Sequence, residues 1–543
     1  MNITFLSVNS SYSHTSMAYH ILKGYSDPDE IHNWQMVECS INEKVERVLR
    51  QLSKTKPDWL LASCYIFSST ELFEILRRFV LVKPDVKIIL GGPELLGNNE
   101  SMLRDFPWID LAVRGEGEIP LKRIVGGEKY DRIRGLCWID DEGRYRDNGT
   151  ADLADMEEVI PHYNKLFDPD RPFVQYETSR GCPNRCTFCT SSLDPVLRYI
   201  PLDEVRLHLK RIQRAGIKEV RILDRTFNSK NSRSVELLEM FRNDFPDLRF
   251  HCEVDPAFIQ DSFFEALELA PHGQMHIETG LQTFSEDTYD IVQRIGPMDK
   301  TVNGLTRLCS MKNVEVHADL IGGLPGCTVD SHYEDLMTLF KMEPHEIQLE
   351  NLKILPGTPL AKREELIHSP TPPYEVLRTD TMTFDDLCAV SNWSKMLDWF
   401  YNYFPLQKVF LHCCNADYNF FNDLHKFLDQ SGAFDKPLSA QKRFKLLYDY
   451  LQFIGDEPHI EMLAASWYVA GFSPERGLFP ATLFREDNFP DDIELLLGKI
   501  DEKWHKRFEL NLPHSILYIS YGKGMINSSD TNIAVWKKSL LVK

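Results

Sequence analysis

The most informative stretch of this 543-residue sequence contains three closely spaced cysteines, Gly181-Cys182-Pro183-Asn184-Arg185-Cys186-Thr187-Phe188-Cys189. It follows an apolar run that is typical of a β-strand. Thiolates at this spacing are suitable ligands for an iron–sulfur cluster, but a closed [4Fe-4S] cluster requires four cysteines. The next cysteine along the chain is Cys252, so three ligands would leave one iron with an open position. A structural zinc site completed by a distant histidine or cysteine is the alternative that the spacing leaves open.

The composition is that of a globular protein with an acidic balance. Hydrophobic residues make up 43% and charged residues 26% of the chain, and its formal net charge is −20. With no long basic run, this charge disfavours a nucleic-acid partner. Twelve cysteines are too few for a disulfide scaffold and suit a reducing compartment. The first residues show no basic segment or cleavage site, and no apolar run could span a bilayer, so we expect a cytoplasmic protein without a membrane span.

Residues 1–135 predict a doubly wound, Rossmann-like parallel sheet, because short apolar runs alternate with helix-length amphipathic ones. In such a sheet, ligands lie beyond the carboxyl ends of the strands. No Gly-x-Gly-x-x-Gly motif opens the first helix, which disfavours a dinucleotide cofactor. The expected strands are Ile3–Val8, Met36–Glu38, Trp59–Ser63, Val86–Leu90 and Leu111–Arg114, and the expected helices are Ser16–Tyr25, Asn42–Lys54 and Thr70–Val82.

Residues 136–170 are expected to form a hairpin, over Leu136–Asn148, and a linker. From 171 to 375 a strand–helix rhythm predicts a full or partial (β/α) barrel, which places reactive groups at the carboxyl ends of its strands. Polar residues follow each of the six expected strands. A structural zinc site would not require polar residues at the ends of all six strands, so this pattern disfavours zinc. The strands are Phe173–Glu177, Glu219–Leu223, Arg249–Glu253, Met275–Glu278, Glu315–Leu320 and Glu346–Leu355.

Residues 376–543 predict a mostly helical C-terminal domain, because apolar residues recur at helical spacing over several segments. A final helix is expected near Ile493–Phe508, followed by strands at Ile516–Tyr521 and Ile533–Trp536. The neighbouring pair Cys413-Cys414 is interpreted as two buried cysteines, because adjacent thiols rarely bind one metal.

The cysteine loop, with Phe188 before its last cysteine, and the rhythm that follows resemble the core of the radical S-adenosylmethionine (SAM) superfamily. The resemblance implies that a [4Fe-4S] cluster, reduced by a donor such as flavodoxin or ferredoxin, cleaves SAM to a 5′-deoxyadenosyl radical. It assigns the cluster to Cys182, Cys186 and Cys189. The implied SAM contacts are Phe188 and Leu355 for adenine, the Asp224 segment for the methionine amino group, and Glu278 and Gln282 for ribose. Pairing of Asp224, Glu253 and Glu278 with Arg221, Arg225 or Arg249 is the structural alternative.

Two glycine-rich segments of the first domain resemble the cobalamin-binding domain that precedes many radical SAM cores. They are Gly91-Gly92-Pro93-Glu94 and Arg114-Gly115-Glu116-Gly117-Glu118. Tight strand–helix turns are the alternative role for such glycines. The Asp-x-His-x-x-Gly motif of other cobalamin proteins is absent, so the resemblance implies a cobalt without a histidine from that motif. The implied cobalamin contacts are Ser63, Tyr65, Gly91, Gly92, Pro93, Glu94, Arg114, Gly115, Glu116 and Gly117.

These resemblances lead to the hypothesis of a cobalamin-dependent radical SAM methyltransferase that methylates an unactivated carbon of a small molecule or a peptide. The C-terminal region resembles an uncharacterised, mostly helical extension found after such cores. Three alternatives stay open: a cobalamin-dependent radical cyclase or oxidoreductase, a methylthiotransferase, and a non-catalytic cobalamin or redox sensor. Methylthiotransferases hold a second cluster with three N-terminal cysteines, and here Cys39, Cys64 and Cys137 are available, although in different contexts.

Overall fold

The structure is a computed structural model that describes residues 1–160, 170–484, 494–499, 504–513, 515–522 and 533–539. Two units can be distinguished in it. The first contains Met1–His332 and Glu350–Leu387, and the second contains Tyr333–Leu349 and Cys388–Lys543. Among the described residues, no helix combines the length and the apolar character that crossing a bilayer demands.

The first sheet has the strand order β2-β1-β3-β4-β5-β6-β7. Strands β1 to β5 pair in parallel, as the sequence predicts, and β6 and β7 add an antiparallel hairpin at one edge. Its strands are β1 (Asn2–Asn9), β2 (Asn33–Ser40), β3 (Trp59–Ser63), β4 (Lys87–Gly91), β5 (Leu111–Val113), β6 (Leu136–Ile139) and β7 (Tyr145–Asp147). The helices are α1 (Met17–Ser26), α2 (Val45–Thr55), α3 (Ser69–Val82), α4 (Glu100–Asp105), α5 (Glu118–Val125) and α6 (Met156–Val159).

Helices cover both faces of this sheet. Ile3 and Phe5 of β1 belong to one cluster of buried side chains, whereas Leu6 and Val8 belong to another. A parallel sheet buried on both faces needs such apolar strands. The hairpin of β6 and β7 belongs to this sheet rather than to a linker, because its first strand completes the hydrogen bonding of β5.

The second sheet has the order β15-β14-β13-β12-β11-β8, an open arrangement that corresponds to a partial barrel. Neighbours from β8 to β14 pair in parallel, and β9 and β10 form a separate small ribbon. The strands are β8 (Val174–Tyr176), β9 (Ser179–Arg180), β10 (Arg198–Tyr199), β11 (Glu219–Ile222), β12 (Arg249–Glu253), β13 (Met275–Gln282), β14 (Val314–Gly322) and β15 (Glu346–Asn351). The helices are α7 (Leu202–Arg214), α8 (Asn231–Asp244), α9 (Asp261–Glu268), α10 (Glu286–Ile291), α11 (Met298–Ser310) and α12 (Val329–Met342).

The remaining elements comprise a short ribbon, a group of helices and a terminal sheet of order β18-β20-β21-β22-β19. A π-helical turn over Leu397–Tyr401 extends the first of these helices. The helices are α13 (Phe384–Met396), α14 (Phe404–Ala416), α15 (Phe420–Gln430), α16 (Ala440–Ile454) and α17 (Glu457–Val469). The strands are β16 (Ile367–His368), β17 (Val376–Arg378), β18 (Thr482–Leu483), β19 (Glu494–Lys499), β20 (Trp504–Asn511), β21 (Ser515–Gly522) and β22 (Ile533–Ser539).

The predicted final helix near Ile493–Phe508 is wrong. The described parts of this segment form β19 and β20, which pair with β22 and β21. Its apolar residues have helical spacing, but hydrogen bonding to neighbouring strands outweighs that local preference. The two strands predicted after it are confirmed as β21 and β22.

Candidate metal and cofactor site

The cysteine loop begins directly after β9. Gly181 opens it with a φ of +88°, and a Cβ atom at this position would lie 2.3 Å from the carbonyl oxygen of Val196. Only glycine fits so close an approach. The Cys182 amide donates a hydrogen bond to the carbonyl oxygen of Asp194 at 2.9 Å. The segment that follows the loop therefore stabilises the backbone at the beginning of the loop.

The three thiols line one cavity at the carboxyl ends of the strands. Cys182 and Cys186 are buried, Cys189 is partly exposed, and the cavity has an empty volume of about 710 Å³. Among the described residues that line it, there is no further cysteine and no histidine to complete a typical structural zinc site. Three soft thiolates beside an open cavity instead fit a [4Fe-4S] cluster with one iron free to bind a ligand.

A buried arginine supports the thiols. Arg294 Nη1 lies 3.8 Å from Cys186 Sγ, and its Nη2 lies 3.4 Å from Asp255 Oδ2. The same Oδ2 accepts a 3.0 Å hydrogen bond from Asn184 in the cysteine loop. Burial alone would lower the pKa of Arg294, but Asp255 raises it above its usual value. The guanidinium therefore keeps its charge where it can stabilise a negatively charged, thiolate-ligated cluster. No local sequence pattern predicts this role, because Arg294 lies far along the chain from the loop.

Three carboxylates from β12, β13 and β14 line the same cavity: Glu253, Glu278 and Asp319. Glu278 Oε2 lies 2.7 Å from His251 Nε2, and Glu253 lies 3.6 Å from Arg225 Nη1. Pairing with a nearby arginine, which the sequence left open as a purely structural role, is thus present for Glu253. Glu278 pairs with a histidine instead.

These carboxyl groups differ in acidity. Burial raises the pKa of Glu253 to about 7, with a further increase from Glu278 and a decrease from Arg225. Burial also raises the pKa of Asp319. Burial alone would also raise the pKa of Glu278, but the hydrogen bond with His251 holds the pKa of that carboxyl below its usual value. Glu253 is therefore the carboxyl group suited to exchange a proton near neutral pH.

Asp224 supports the chain that leads into the cysteine loop. Its carboxylate accepts hydrogen bonds from the amide and hydroxyl of Thr178, at 2.6 and 2.5 Å, and from those of Ser179, at 2.9 and 2.8 Å. The next residues, Arg225 and Thr226, line the cavity, whereas Asp224 is not among the described residues that do so. A contact of this segment to SAM remains a prediction, and the Asp224 carboxylate itself is engaged by backbone and hydroxyl groups.

Three of the other predicted SAM contacts, Phe188, Glu278 and Gln282, line the cavity. Gln282 follows a bulge in β13 and has a φ of +75°, a strained value for a residue other than glycine. Leu355 is outside the described lining. Its loop lies against the turn that follows β4 instead, since a Cβ atom at Gly357 would be 2.6 Å from the carbonyl oxygen of Leu96.

A second cavity, more apolar and with an empty volume of about 1100 Å³, lies at the carboxyl ends of the first sheet. We call it the glycine groove. Leucines at 22, 61 and 121 contribute its apolar walls. Apolar walls beside bare backbone suit a large ligand that is partly apolar. Most of the predicted cobalamin contacts line it: Ser63, Tyr65, Gly91, Gly92, Gly115, Glu116 and Gly117.

Gly92 lies where the backbone that lines this groove packs closely against the chain after β3. Its φ is +107°, and a Cβ atom would lie 2.6 Å from the carbonyl oxygen of Cys64. The remaining predicted contacts, Pro93, Glu94 and Arg114, are not among the described lining residues. Pro93 opens a 3-10 turn, Glu94 accepts a hydrogen bond from Tyr374, and Arg114 pairs with Asp147 at 2.9 Å.

Glu116 also links the glycine groove to the cysteine loop. Its carboxylate accepts hydrogen bonds from Arg198 at 2.7 and 3.0 Å and lies 3.4 Å from Arg180. Arg180, the residue before Gly181, also pairs with Glu118 at 2.7 Å. The sequence pointed to Glu116 as a ligand contact alone, because partners 64 and 82 residues away leave no local pattern.

Cys39, Cys64 and Cys137 are buried in the apolar core of the first sheet. Cys39 lies on β2 and Cys137 on β6, with β1, β3, β4 and β5 between them. At about 4.8 Å a strand, these two thiols are about 24 Å apart. They are therefore too distant to bind one cluster.

The cysteine loop lies in a part of the chain that matches a known family. Residues 176–339 match the radical SAM superfamily, and residues 365–468 match a family described as a protein of unknown function, DUF4080. An uncharacterised methyltransferase of Pyrococcus horikoshii, PH0819, is 29% identical over 204 residues, which is 35% of this chain and 44% of that protein. The cobalamin-dependent radical SAM methyltransferase TokK of Streptomyces tokunonensis is 20% identical over 344 residues, 57% of this chain and 49% of TokK. The chain thus spans about half the length of these relatives.

Among solved structures, the cobalamin-dependent SAM radical enzyme OxsB, with aqua-cobalamin and SAM bound, superposes with a TM-score of 0.57. The alignment covers 87% of this chain and 73% of OxsB at 15% sequence identity. This similarity establishes a shared fold.

Proposed function

We propose that this chain, which carries a radical SAM domain, is a cobalamin-dependent radical SAM enzyme that transfers a methyl group to an unactivated carbon. The observation that carries the proposal is the presence, in one compact unit, of a three-thiol cavity and of the glycine groove. The names of TokK and OxsB, which pair cobalamin with SAM, support the same two cofactors here.

Cys182, Cys186 and Cys189 would hold the cluster, Phe188 and Gln282 would contact SAM, and the glycine groove would hold cobalamin. When bound, the cluster and SAM supply a 5′-deoxyadenosyl radical and cobalamin supplies the methyl group. Arg294 holds a positive charge beside Cys186 and, through Asp255 and Asn184, fixes the loop.

Glu278, which His251 holds ionised, would contact the ribose of SAM, and the other acidic side chains of the cavity would bind the substrate. Among these, Glu253 can donate or accept a proton at its carboxyl oxygen near neutral pH. Such a lining favours a small molecule or peptide that offers an amine or hydrogen-bond donors next to the carbon to be methylated.

Anaerobic reconstitution tests the proposal. We expect about four iron atoms and one cobalamin per chain, with deoxyadenosine formed under strong reductant and the methyl group of labelled SAM recovered in product. Deoxyadenosine without methyl transfer would instead indicate a radical cyclase or oxidoreductase. An intact cluster and cobalamin without SAM cleavage would indicate a sensor.

The separation of Cys39 from Cys137 argues against a methylthiotransferase, because no second cluster can bind these cysteines together. About eight iron atoms per chain would contradict this assignment.

The electron donor would be a flavodoxin or ferredoxin. Twelve cysteines in 543 residues are too few for a disulfide scaffold, which supports a reducing compartment such as the cytoplasm.

A further inference from the structure

A second group of metal-binding residue types lies in the second unit. Cys413 is in the last turn of α14, and Asp456 and His459 are at the start of α17. One sulfur, one carboxylate oxygen and one ring nitrogen from these residues all lie within 4.8 Å of one another. They come from two helices that are distant in sequence, so packing rather than chain proximity brings them together.

Both ring nitrogens of His459 are engaged. Nδ1 lies 2.5 Å from Asp456 Oδ2, and Nε2 lies 2.7 Å from Nδ1 of His412. A metal-ligating histidine typically donates its second ring N–H to a neighbouring acceptor, which fixes the tautomer. If His459 donates from Nε2 to His412, its Nδ1 lone pair faces the carboxylate, and a proton or a metal ion must then lie between the two atoms.

Burial and charge are compatible with a divalent cation. Cys413 is 1% and His459 8% exposed, whereas the Asp456 side chain is 24% exposed and His412 is exposed, which leaves a route from solvent. The carbonyl end of α14 favours a cation, and this offsets the unfavourable amide end of α17. A thiolate and a carboxylate together neutralise a charge of +2.

We propose that Cys413, Asp456 and His459 bind a zinc ion that joins α14 to α17, with His412 orienting the His459 ring. Zinc accepts sulfur, nitrogen and oxygen ligands in tetrahedral geometry, and water completes the fourth position at the exposed side. The site is independent of the cysteine loop and of the proposed enzymatic activity. It would give the C-terminal domain a metal-dependent stability.

The competing arrangement has no metal. Asp456 is the N-cap of α17, and its carboxylate also accepts from the His459 amide at 3.4 Å. If His459 donates from Nδ1 to Asp456 and accepts from His412, the same atoms are satisfied by hydrogen bonds alone. This arrangement predicts no zinc.

Metal analysis of the 543-residue chain distinguishes the zinc site from the metal-free arrangement. Cys182, Cys186 and Cys189 are replaced by alanine in the parent protein, so that zinc cannot occupy the cysteine loop. After addition of zinc chloride and desalting, we expect about one zinc per chain in this parent. The matched control is Cys414→Ala, a buried neighbour on the same helix that is outside the ligand group, and it should retain the zinc. Cys413→Ala and His459→Ala should each lose most of it. A parent without zinc, or either of these two variants binding as much as the control, overturns the proposal.

Two further measurements do not depend on how well the ligand variants fold. X-ray absorption at the zinc edge of the loaded parent should show one sulfur neighbour, and a shell without sulfur overturns the site. His412→Ala should weaken zinc binding about tenfold, and His412→Asn, whose amide oxygen can replace Nδ1 as acceptor, should restore it. Equal affinity in all three proteins contradicts the orienting role of His412.

Discussion

The thiol cavity and the glycine groove lie at the carboxyl ends of two sheets in the same unit, but they are built in opposite ways. The thiol cavity depends on side chains that are present: three cysteines, Arg294 and a set of carboxylates. The glycine groove depends on close packing of backbone as well as on its apolar walls, because at Gly92 the Cys64 backbone leaves no room for a Cβ atom. Removing atoms should therefore damage the first cavity, and adding atoms should damage the second.

The largest effect is expected from Cys186→Ala. Two remaining thiols cannot hold a cluster that already has one iron without a protein ligand, so iron binding and SAM cleavage should both be lost. Iron content and deoxyadenosine formation measure this, with cobalamin per chain as the internal reference for the glycine groove. Cys388→Ser, at an exposed cysteine, is the control and should keep both. SAM cleavage that survives in Cys186→Ala would remove the basis for the cluster assignment.

In the glycine groove the corresponding change is Gly92→Ala. Positive φ and contact with the Cys64 carbonyl should together cost about 2–4 kcal/mol of unfolding free energy. Cobalamin per chain should fall while iron per chain stays unchanged. Gly143→Ala is the matched control, because Gly143 has a φ of +76° but nothing within 4 Å of the added Cβ atom. It should cost about 1 kcal/mol and retain cobalamin. Equal losses in the two variants would show that crowding has no part in shaping the groove.

The carboxylates of the thiol cavity predict a pH dependence. Glu253 has its pKa raised to about 7 from 4.5, so between these values the folded chain binds more protons than the unfolded chain. Its contribution to stability is present below pH 4.5 and is lost as the pH rises through 7. Glu253→Gln does not titrate, so its stability relative to wild type should increase across this window by about 3 kcal/mol.

Urea unfolding of the cluster-free proteins at several pH values measures this difference. Glu265→Gln, at an exposed position on α9, is the control for the loss of a carboxylate. A difference between Glu253→Gln and wild type that does not change with pH would contradict the raised pKa of Glu253.

The smallest effect is expected where the two cavities are connected. Arg198→Ala removes the main partner of Glu116, whose side chain is 17% exposed, and should cost about 2 kcal/mol. Iron and cobalamin per chain should change little, because Arg180 still neutralises Glu116. Arg77→Ala, which breaks an exposed pair with Glu74, should cost under about 0.5 kcal/mol. A loss of cobalamin in Arg198→Ala would show that Glu116 acts mainly through the groove.

Local patterns predicted most of the first unit. The alternation of strands and helices led to both parallel sheets, and the cysteine spacing identified the thiol cavity. The errors and omissions share one origin, which is contact over long sequence distances. The segment from 493 to 508 has helical spacing, yet β19 and β20 pair with strands that follow later in the chain. Arg294 and Arg198 act on residues distant in sequence, so their roles have no local signature.

What could be inferred from the chain alone was the set of chemical groups: three thiols in one loop, glycines at strand ends, and an excess of acidic residues. Their spacing along the backbone fixes which of them are neighbours over a few residues. The tertiary structure decides the pKa, the hydrogen bonds and the ion pairs of these groups. Burial raises the pKa of Glu253, hydrogen bonds occupy the Asp224 carboxylate, and arginines bind Glu116. The reason is that solvation and pairing depend on every element packed around a group, and those elements come from distant parts of the sequence.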